Sequence, residues 1–523
     1  MSQPIFLFGE DHLTVSKAIA IAQKQLKFGL PEAIKERIHA SSSRVQDIVD
    51  KGEVVYGINT GFGPLCTTVI SSGQAKQLQQ NILMSHAVGI GNPIDDQLVR
   101  LMLITKIHSL AKGYSGITLS TLERVLWHLK EDILPVVPEQ GSVGASGDLA
   151  PLSHLFLPLI GLGKVRIEGV TRTTAEVLQE RQMGPVMLSP KEGLALINGT
   201  QFILAHAVSL VHKMKTVLDQ EDLISAMMIE GLLASVKPFD PRLHEVRPYS
   251  GSQHVAARIR TLLAESEIVH SHATCARVQD PYSLRCIPQV HGASREAWLH
   301  LKKTVEIELN GVTDNPLIFK DGSTISGGNF HGQLLALPLD YVAIALSELG
   351  NIADRRVYLS LEGDTPGVPK LLLKETGTNS GFMILQYATA ALASENKSLC
   401  FPASADSIPT SLGQEDHVSM GSISGRKALQ ILHNVEKIQS IELICAAQAI
   451  DYHAPLQSGP VISGLHQWVR ERIPFVTRDQ VFTEMMETAL YWIEQGTVQT
   501  KAIEIATQAG VSFDTAWSNE YDR

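Results

Sequence analysis

Three consecutive residues, Ala145-Ser146-Gly147, have the makings of chemistry that no ordinary side chain performs. They lie in the run Gly141-Ser142-Val143-Gly144-Ala145-Ser146-Gly147-Asp148-Leu149-Ala150-Pro151-Leu152. An enzyme that must turn an amine into a leaving group needs an electrophile, and side chains do not supply one. Gly147 offers an amide nitrogen unhindered by a Cβ and a backbone free to bend tightly. Ala145 puts a small residue at the carbonyl to be attacked, and Ser146 can lose its hydroxyl as water to leave a methylidene. The product would be a 4-methylideneimidazol-5-one ring (MIO), formed autocatalytically from the chain with no external cofactor. The same run also reads as a glycine-rich loop feeding the apolar stretch Leu149 to Leu162, so the rest of the chain has to supply a matching site.

The elements that must position such a ring are of two kinds. After Pro31, Ile34, Ile38, Val45, Ile48 and Val49 recur at helical spacing, and Lys51-Gly52 closes that helix. Val54-Val55-Tyr56-Gly57-Ile58-Asn59-Thr60-Gly61-Phe62-Gly63-Pro64 is too rich in glycine for a helix and reads as a short strand and loop. A short β excursion is expected over Gly163 to Gly169. From about Thr200 the pattern changes to long helices. Ala293, Ala297, Leu301, Val305 and Leu309 form one ridge, and Val342, Leu346, Leu349 and Ile352 a second. Ala428, Leu432, Val435, Ile438, Ile441 and Cys445 make a third. Such stripes suit mutual packing in a bundle. The expected fold is mainly α, with a mixed α/β N-terminal region over 1–200 that carries the tripeptide and a long-helix bundle over 201–523. Glycine-rich polar interruptions around 278–292, 311–333 and 409–422 read as loops on that scaffold, where functional side chains tend to sit.

Bulk properties narrow the class. With 523 residues, 44% hydrophobic and 19% charged, the chain has the balance of a soluble globular protein. A formal net charge of -10 argues against nucleic acid or an anionic membrane as partner. Met1-Ser2-Gln3-Pro4-Ile5-Phe6 does not read as a signal peptide. Asp340 interrupts the apolar stretch Leu334 to Leu349, which argues against a membrane span. Five scattered cysteines (Cys66, Cys275, Cys286, Cys400, Cys445) suit reduced thiols in the cytoplasm.

Several familiar signals fail. Gly61-Phe62-Gly63-Pro64 starts like a dinucleotide fingerprint but runs into proline, and no Gly-Lys-Ser/Thr phosphate loop exists. His270, His272 and Cys275 lack the supporting spacing of a metal site, so no metal is expected. Gly144-Ala145-Ser146-Gly147-Asp148 misses the hydrolase nucleophile elbow by one residue, because Asp148 stands where glycine is required. A serine hydrolase using Ser146 is the alternative from a different class.

The positive evidence is collective. The 54–63 loop, the Ala-Ser-Gly run, Glu192 to Thr200, Gln279-Asp280-Pro281-Tyr282-Ser283-Leu284-Arg285-Cys286, Asp314-Asn315-Pro316, Ser326-Gly327-Gly328-Asn329-Phe330-His331-Gly332 and Gln414-Glu415-Asp416-His417-Val418-Ser419-Met420 occur in that order. Together, from about Tyr56 to Met420, they resemble the aromatic amino acid ammonia-lyases. Ser85-His86 and Gln414-Glu415-Asp416-His417 are similar to the histidine-acting branch rather than to the phenylalanine and tyrosine enzymes. Gly413 departs from that branch, which often has asparagine there.

The resemblance implies elimination of ammonia from L-histidine to give trans-urocanate, the first step of histidine breakdown. The alternative within the family is a phenylalanine or tyrosine ammonia-lyase or aminomutase with the same ring. It implies that Tyr56 is the base and that Tyr282 assists near the amine or the ring. Arg285 is implied as the carboxylate clamp, with a guanidinium fork suited to two parallel bonds. Asn198 and Gln279 would position the carboxylate and polarise the ring carbonyl, and Phe330 would wall the substrate ring. His86, next to Ser85, and Glu415 would match the donor and acceptor of a neutral imidazole. Asp148 would orient the ring loop. It further implies a fumarase/aspartase-like helical fold and a homotetramer whose subunits share active sites. A phenol base is only about one part in a thousand ionised at pH 7, a penalty of roughly 4 kcal/mol. The site must therefore favour the phenolate, or the enzyme must work at alkaline pH.

Overall fold

The structure is a computed structural model that describes residues 5–61, 63, 68, 70–273 and 278–513. Helices dominate, and the strands are short. Ile5–Leu7 pairs in parallel with Lys27–Gly29, and Ile90–Pro93 pairs antiparallel with Pro138–Gln140. Leu134–Pro135, Lys164–Ile167 and Val170–Thr173 form a three-stranded sheet, and Leu317–Ile318 pairs with Thr324–Ile325. The mainly α class holds, and the β excursion expected at 163–169 is the first strand and turn of a hairpin completed by Val170–Thr173.

Two compact units emerge. The first comprises Met1–Ser209, Leu301–Asp340 and Pro402–Arg426, and the second Leu210–His300, Tyr341–Phe401 and Lys427–Arg523. The division is therefore discontinuous, not a single cut after residue 200. Composition along the chain cannot register such returns, because four of the boundaries fall inside the continuous helices Gln201–Gly231, Ile287–Leu309, Gln333–Leu361 and Gly421–Asp451.

In the first unit the helix read from the 34–49 pattern spans Glu32–Lys51 and ends on Gly52 at φ 69°, the left-handed stop that glycine adopts without strain. Asp95 caps Asp96–Ala111 by accepting the Gln97 amide at 2.7 Å. The strand expected near 54–64 is absent among its described residues. Asn59 explains why: its Oδ1 accepts the Val55 amide at 2.9 Å and its Nδ2 donates to the Glu53 carbonyl at 2.7 Å. Those bonds, with Ile58 and Asn59 amides turning back on Val55, curl the segment into a turn. Gln333–Leu361 is long and apolar enough to cross a membrane by length and composition, yet 72% of its most apolar window is buried inside the protein. Within its first-unit portion, Asp340 accepts the Ser404 amide at 2.7 Å and the Ser424 hydroxyl at 3.0 Å.

The second unit carries a large apolar core built from the later turns of Gln201–Gly231 and Gly421–Asp451 and from the C-terminal helices. Two buried ionic clusters lie within this unit: Arg295 on Asp219 and Asp222, and Arg356 between Glu221 and Glu442. All the stripe residues are buried except Ala293, which is exposed. The expected 278–292 loop is largely helical, as Tyr282–Arg285 and the start of Ile287–Leu309. Gly292 is there for close approach, since a Cβ on it would meet the Ser252 amide nitrogen at 2.5 Å.

Candidate active site

Six of the seven motif segments lie in the first unit, and the fold knits them to one another. Gly147, at φ 75°, pairs with Gly199 in an isolated parallel bridge. That bridge uses the Asp148 amide, donating to the Gly199 carbonyl at 2.8 Å, and the Ser146 carbonyl, accepting from Gly199 at 3.3 Å. It leaves the Gly147 nitrogen outside it. A Cβ on Gly147 would lie 2.1 Å from the Gly199 carbonyl oxygen, so only glycine fits. These features suit a tripeptide whose Gly147 nitrogen closes on the Ala145 carbonyl: a small residue on each side, a bent backbone, and a nucleophile not spent on the bridge.

The remaining links run outward from there. Asn198 Nδ2 donates to the Asn315 carbonyl at 3.0 Å, and Asn315 Oδ1 accepts the Gly327 amide at 2.8 Å. His331 and His417 stack at 5.4 Å between ring centroids, which sets the Phe330 loop beside the Glu415 loop. Met420 donates its amide to the Val143 carbonyl at 3.0 Å. Gly57, next to Tyr56, is in close approach to Leu194 and Pro316. The Tyr56 phenol oxygen accepts the Gly63 amide at 3.3 Å.

Glu415 Oε1 receives the Ser146 hydroxyl at 3.1 Å, a contact across 269 residues of sequence. His86 lies within electrostatic reach of Glu415; burial lowers its pKa from 6.5, against the backbone hydrogen bond with Ile82 and the Glu415 charge, and so disfavours the imidazolium. Ser85 Oγ lies 3.0 Å from His86 Nδ1, which fixes the ring from its neighbour. Gly413 has φ 85°, and a Cβ on it would meet nothing within 4 Å, a left-handed site that asparagine also tolerates. Asn198 is buried with Oδ1 unpartnered among the described residues, so the atom it offers is an acceptor, suited to an amine N–H and not to a carboxylate.

Gln279, Tyr282 and Arg285 belong to the second unit. Tyr282 is 72% exposed and the Arg285 guanidinium lies 4.5 Å from its ring centroid. Arg285 Nε is buried without a hydrogen-bond partner among the described residues, a donor that an anion would satisfy. Gln279 and Arg285 border a cavity of about 810 Å³ within that unit. Of the rejected metal trio, His270 and His272 each turn a ring nitrogen onto a backbone carbonyl, and Cys275 lies outside the described residues, as does Cys66.

Two buried titratable groups support the tripeptide. Asp148 Oδ2 accepts the Phe202 and Ile203 amides at 3.0 and 2.9 Å, capping the start of Gln201–Gly231, and Oδ1 accepts the Ser142 hydroxyl at 3.2 Å. Burial pushes its carboxyl up to about 7, while these three donors and the helix N-terminus favour the carboxylate. Lys106, which sequence reading overlooked, donates Nζ to the Asn198 carbonyl. Its position inside the apolar helix Asp96–Ala111 was the available signal, since a lysine there must find an acceptor.

Burial lowers the Lys106 ammonium from 10.5 to about 7. Between those values the unfolded chain binds more protons than the folded one, so this group makes stability rise with pH across that window. Lys106→Met should remove that rise. Urea midpoints at about pH 7.5 and about pH 9.5 should differ less in the variant than in the wild type. Parallel pH curves for the two proteins would show that Lys106 keeps its charge throughout.

Residues 13–471 match the family model described as aromatic amino acid lyase. Histidine ammonia-lyase of Natranaerobius thermophilus is 46% identical over 464 residues, 88% of this chain and 91% of that one. The crystal structure of histidine ammonia-lyase from Trypanosoma cruzi superposes with a TM-score of 0.88 at 39% identity, covering 96% of both chains. Tyrosine aminomutase of Streptomyces globisporus superposes at 0.91 with 32% identity, over 96% of this chain and 99% of that one. With these matches spanning the tripeptide and every loop that meets it, the chain belongs to the aromatic amino acid lyase family.

Proposed function

We propose that this protein eliminates ammonia from L-histidine to give trans-urocanate, with an MIO ring formed from Ala145-Ser146-Gly147. The observation that carries the reading is Glu415 at the tripeptide, its Oε1 on the Ser146 hydroxyl, with His86 within electrostatic reach of that carboxyl group. That pair matches an imidazole, whose two ring nitrogens need one donor and one acceptor. A phenylalanine ring would leave both groups unpaired, and a tyrosine ring carries its single hydroxyl at the para carbon, where it cannot stand in for two ring nitrogens.

When formed, the ring supplies an electrophile that converts the substrate amine into a leaving group. The chain's own residues do the rest. Glu415 accepts the substrate imidazole N–H and His86 serves its other nitrogen, with Phe330 walling the ring. Tyr56 removes the β proton; the Gly63 amide on its oxygen is a partner for the phenolate form that a base requires. Asn198 Oδ1 accepts from the amine. Arg285, with Gln279, binds the substrate carboxylate, a role the unpartnered Nε supports, and Tyr282 assists near the amine or the ring.

We further propose a cytoplasmic homotetramer, in which Gln279, Tyr282 and Arg285 serve a neighbouring copy. The exposed apolar face of Gln333–Leu361, with Leu334, Leu337, Tyr341 and Ile344 uncovered, supports burial against another chain. The test is product absorbance with L-histidine, paired with the intact mass. The expected result is urocanate from a protein lighter than its sequence by two waters. Tyr56→Phe should bind histidine nearly normally and lose roughly 10²–10⁴-fold in turnover. Sulfonyl fluoride labelling of Ser146 with no mass deficit would replace the lyase with the hydrolase reading.

A further inference from the structure

Glu415 touches the tripeptide at an atom that ammonia elimination does not use. Its Oε1 is 3.1 Å from Ser146 Oγ, while Oε2 accepts the Thr410 hydroxyl at 3.0 Å and the Ser411 hydroxyl at 2.7 Å. The Thr410 amide, donating to the Glu415 carbonyl at 2.9 Å, closes the turn that holds this arrangement. The two carboxyl oxygens are thereby made unequal. Two hydroxyl donors keep Oε2 an acceptor, so a proton on this carboxyl belongs on Oε1, which faces the Ser146 hydroxyl.

We propose that Glu415 is the general acid of the tripeptide's own dehydration, before it ever meets substrate. The proposal rests on the ring reading given above and assigns one of its steps to a residue. The Gly147 nitrogen bonds to the Ala145 carbonyl carbon, and the carbonyl oxygen leaves as water with the protons of the Gly147 and Ser146 amides. In the second loss, the Ser146 Cα–H electron pair becomes the Cα–Cβ double bond as the Cβ–Oγ bond breaks. Hydroxide is a poor leaving group, and the Glu415 proton delivered to Oγ lets it depart as water. The proton released from Cα passes to solvent, in place of the one that Glu415 had taken from it, so no net acid is consumed, Glu415 ends as a carboxylate and no oxidant is needed. Once Oγ has gone, Oε1 is left as a carboxylate oxygen facing the space where an imidazole N–H would bind. One side chain thus serves maturation first and substrate recognition afterwards.

The test reads mass, not turnover. Intact and peptide masses over 145–147 are measured for wild type, Glu415→Gln and Glu415→Ala, each taken from the fraction that elutes with the wild type and shows its circular dichroism. Glutamine keeps the size of Glu415, its oxygen can accept from Thr410 and Ser411 and its amide nitrogen can donate to Ser146 Oγ, but it is no comparable acid. A purely positional role therefore predicts normal processing in Glu415→Gln. The expected result is a two-water deficit in the wild type and failure of the second loss in both variants, slowed by roughly 10²-fold or more. Added acetate should restore that loss in Glu415→Ala, where the cavity admits a small carboxylic acid. A complete two-water deficit in either folded variant, without added acid, would overturn the proposal and leave the ring reading standing. A wild-type protein of unmodified mass would remove both.

Discussion

Ser146→Ala should fold as the wild type does and lose at least ~10³-fold of its turnover of histidine, a barrier increase of about 4 kcal/mol. The two effects separate cleanly because they rest on different atoms. The Ser146 side chain is only partly buried, and the contact given up is the one to Glu415 at 3.1 Å, worth about 1 kcal/mol of stability. The methylidene, by contrast, derives wholly from that side chain, and no other group of the cluster is an electrophile. Gly147→Ala is the informative contrast. Its Cβ would collide with the Gly199 carbonyl and its φ of 75° is strained for alanine, so that variant should damage the loop itself. Thermal melts and histidine turnover, measured together, check both. Turnover near wild type in Ser146→Ala would show that the tripeptide is no electrophile.

L-Histidine should exceed L-phenylalanine and L-tyrosine by as much as ~10⁴-fold in kcat/KM. Desolvation disfavours the charged form of His86, whose ring Ser85 holds at 3.0 Å, and Glu415 is braced by Thr410 and Ser411, so both polar groups are positioned before substrate arrives. An apolar ring that displaces their water leaves a donor and an acceptor unpaired, each costing about 1–3 kcal/mol. His86→Leu is the cleaner variant, because Glu415 also touches Ser146. It should narrow the preference by roughly 10-fold to 10²-fold, through loss of histidine turnover first. Product absorbance at matched amino acid concentrations decides it. A wild type that prefers phenylalanine or tyrosine, or that yields a β-amino acid, would overturn the imidazole reading while the ring survives.

Much of the local structure was legible. The Glu32–Lys51 helix followed from its apolar period and its terminal glycine, and the short β excursion expected over 163–169 is the first strand and turn of a hairpin that runs on to Thr173. The misreadings have a common origin. Asn59 bends a β-prone segment through bonds to its own neighbours, and Gly292 permits a close helix contact where glycine suggested a break. In both, one side chain or its absence outweighed the average preference of its surroundings. Lys106, Thr410 and Ser411 were passed over because a lysine and two hydroxyls look the same in sequence whether solvated or holding a site.

The sequence by itself determined the Ala145-Ser146-Gly147 tripeptide, the long-helix class and the order of the loops that accompany it. Those depend on residue type, local period and near neighbours, which the chain states directly. Tertiary structure alone decided that Ser146 meets Glu415 across 269 positions and that Asn198 meets Asn315 across 117. It also decided that Asp148 caps a helix 54 residues onward. Such pairs are chosen by which returns of the chain bury the most apolar surface while satisfying every buried polar group, and no local pattern records that choice.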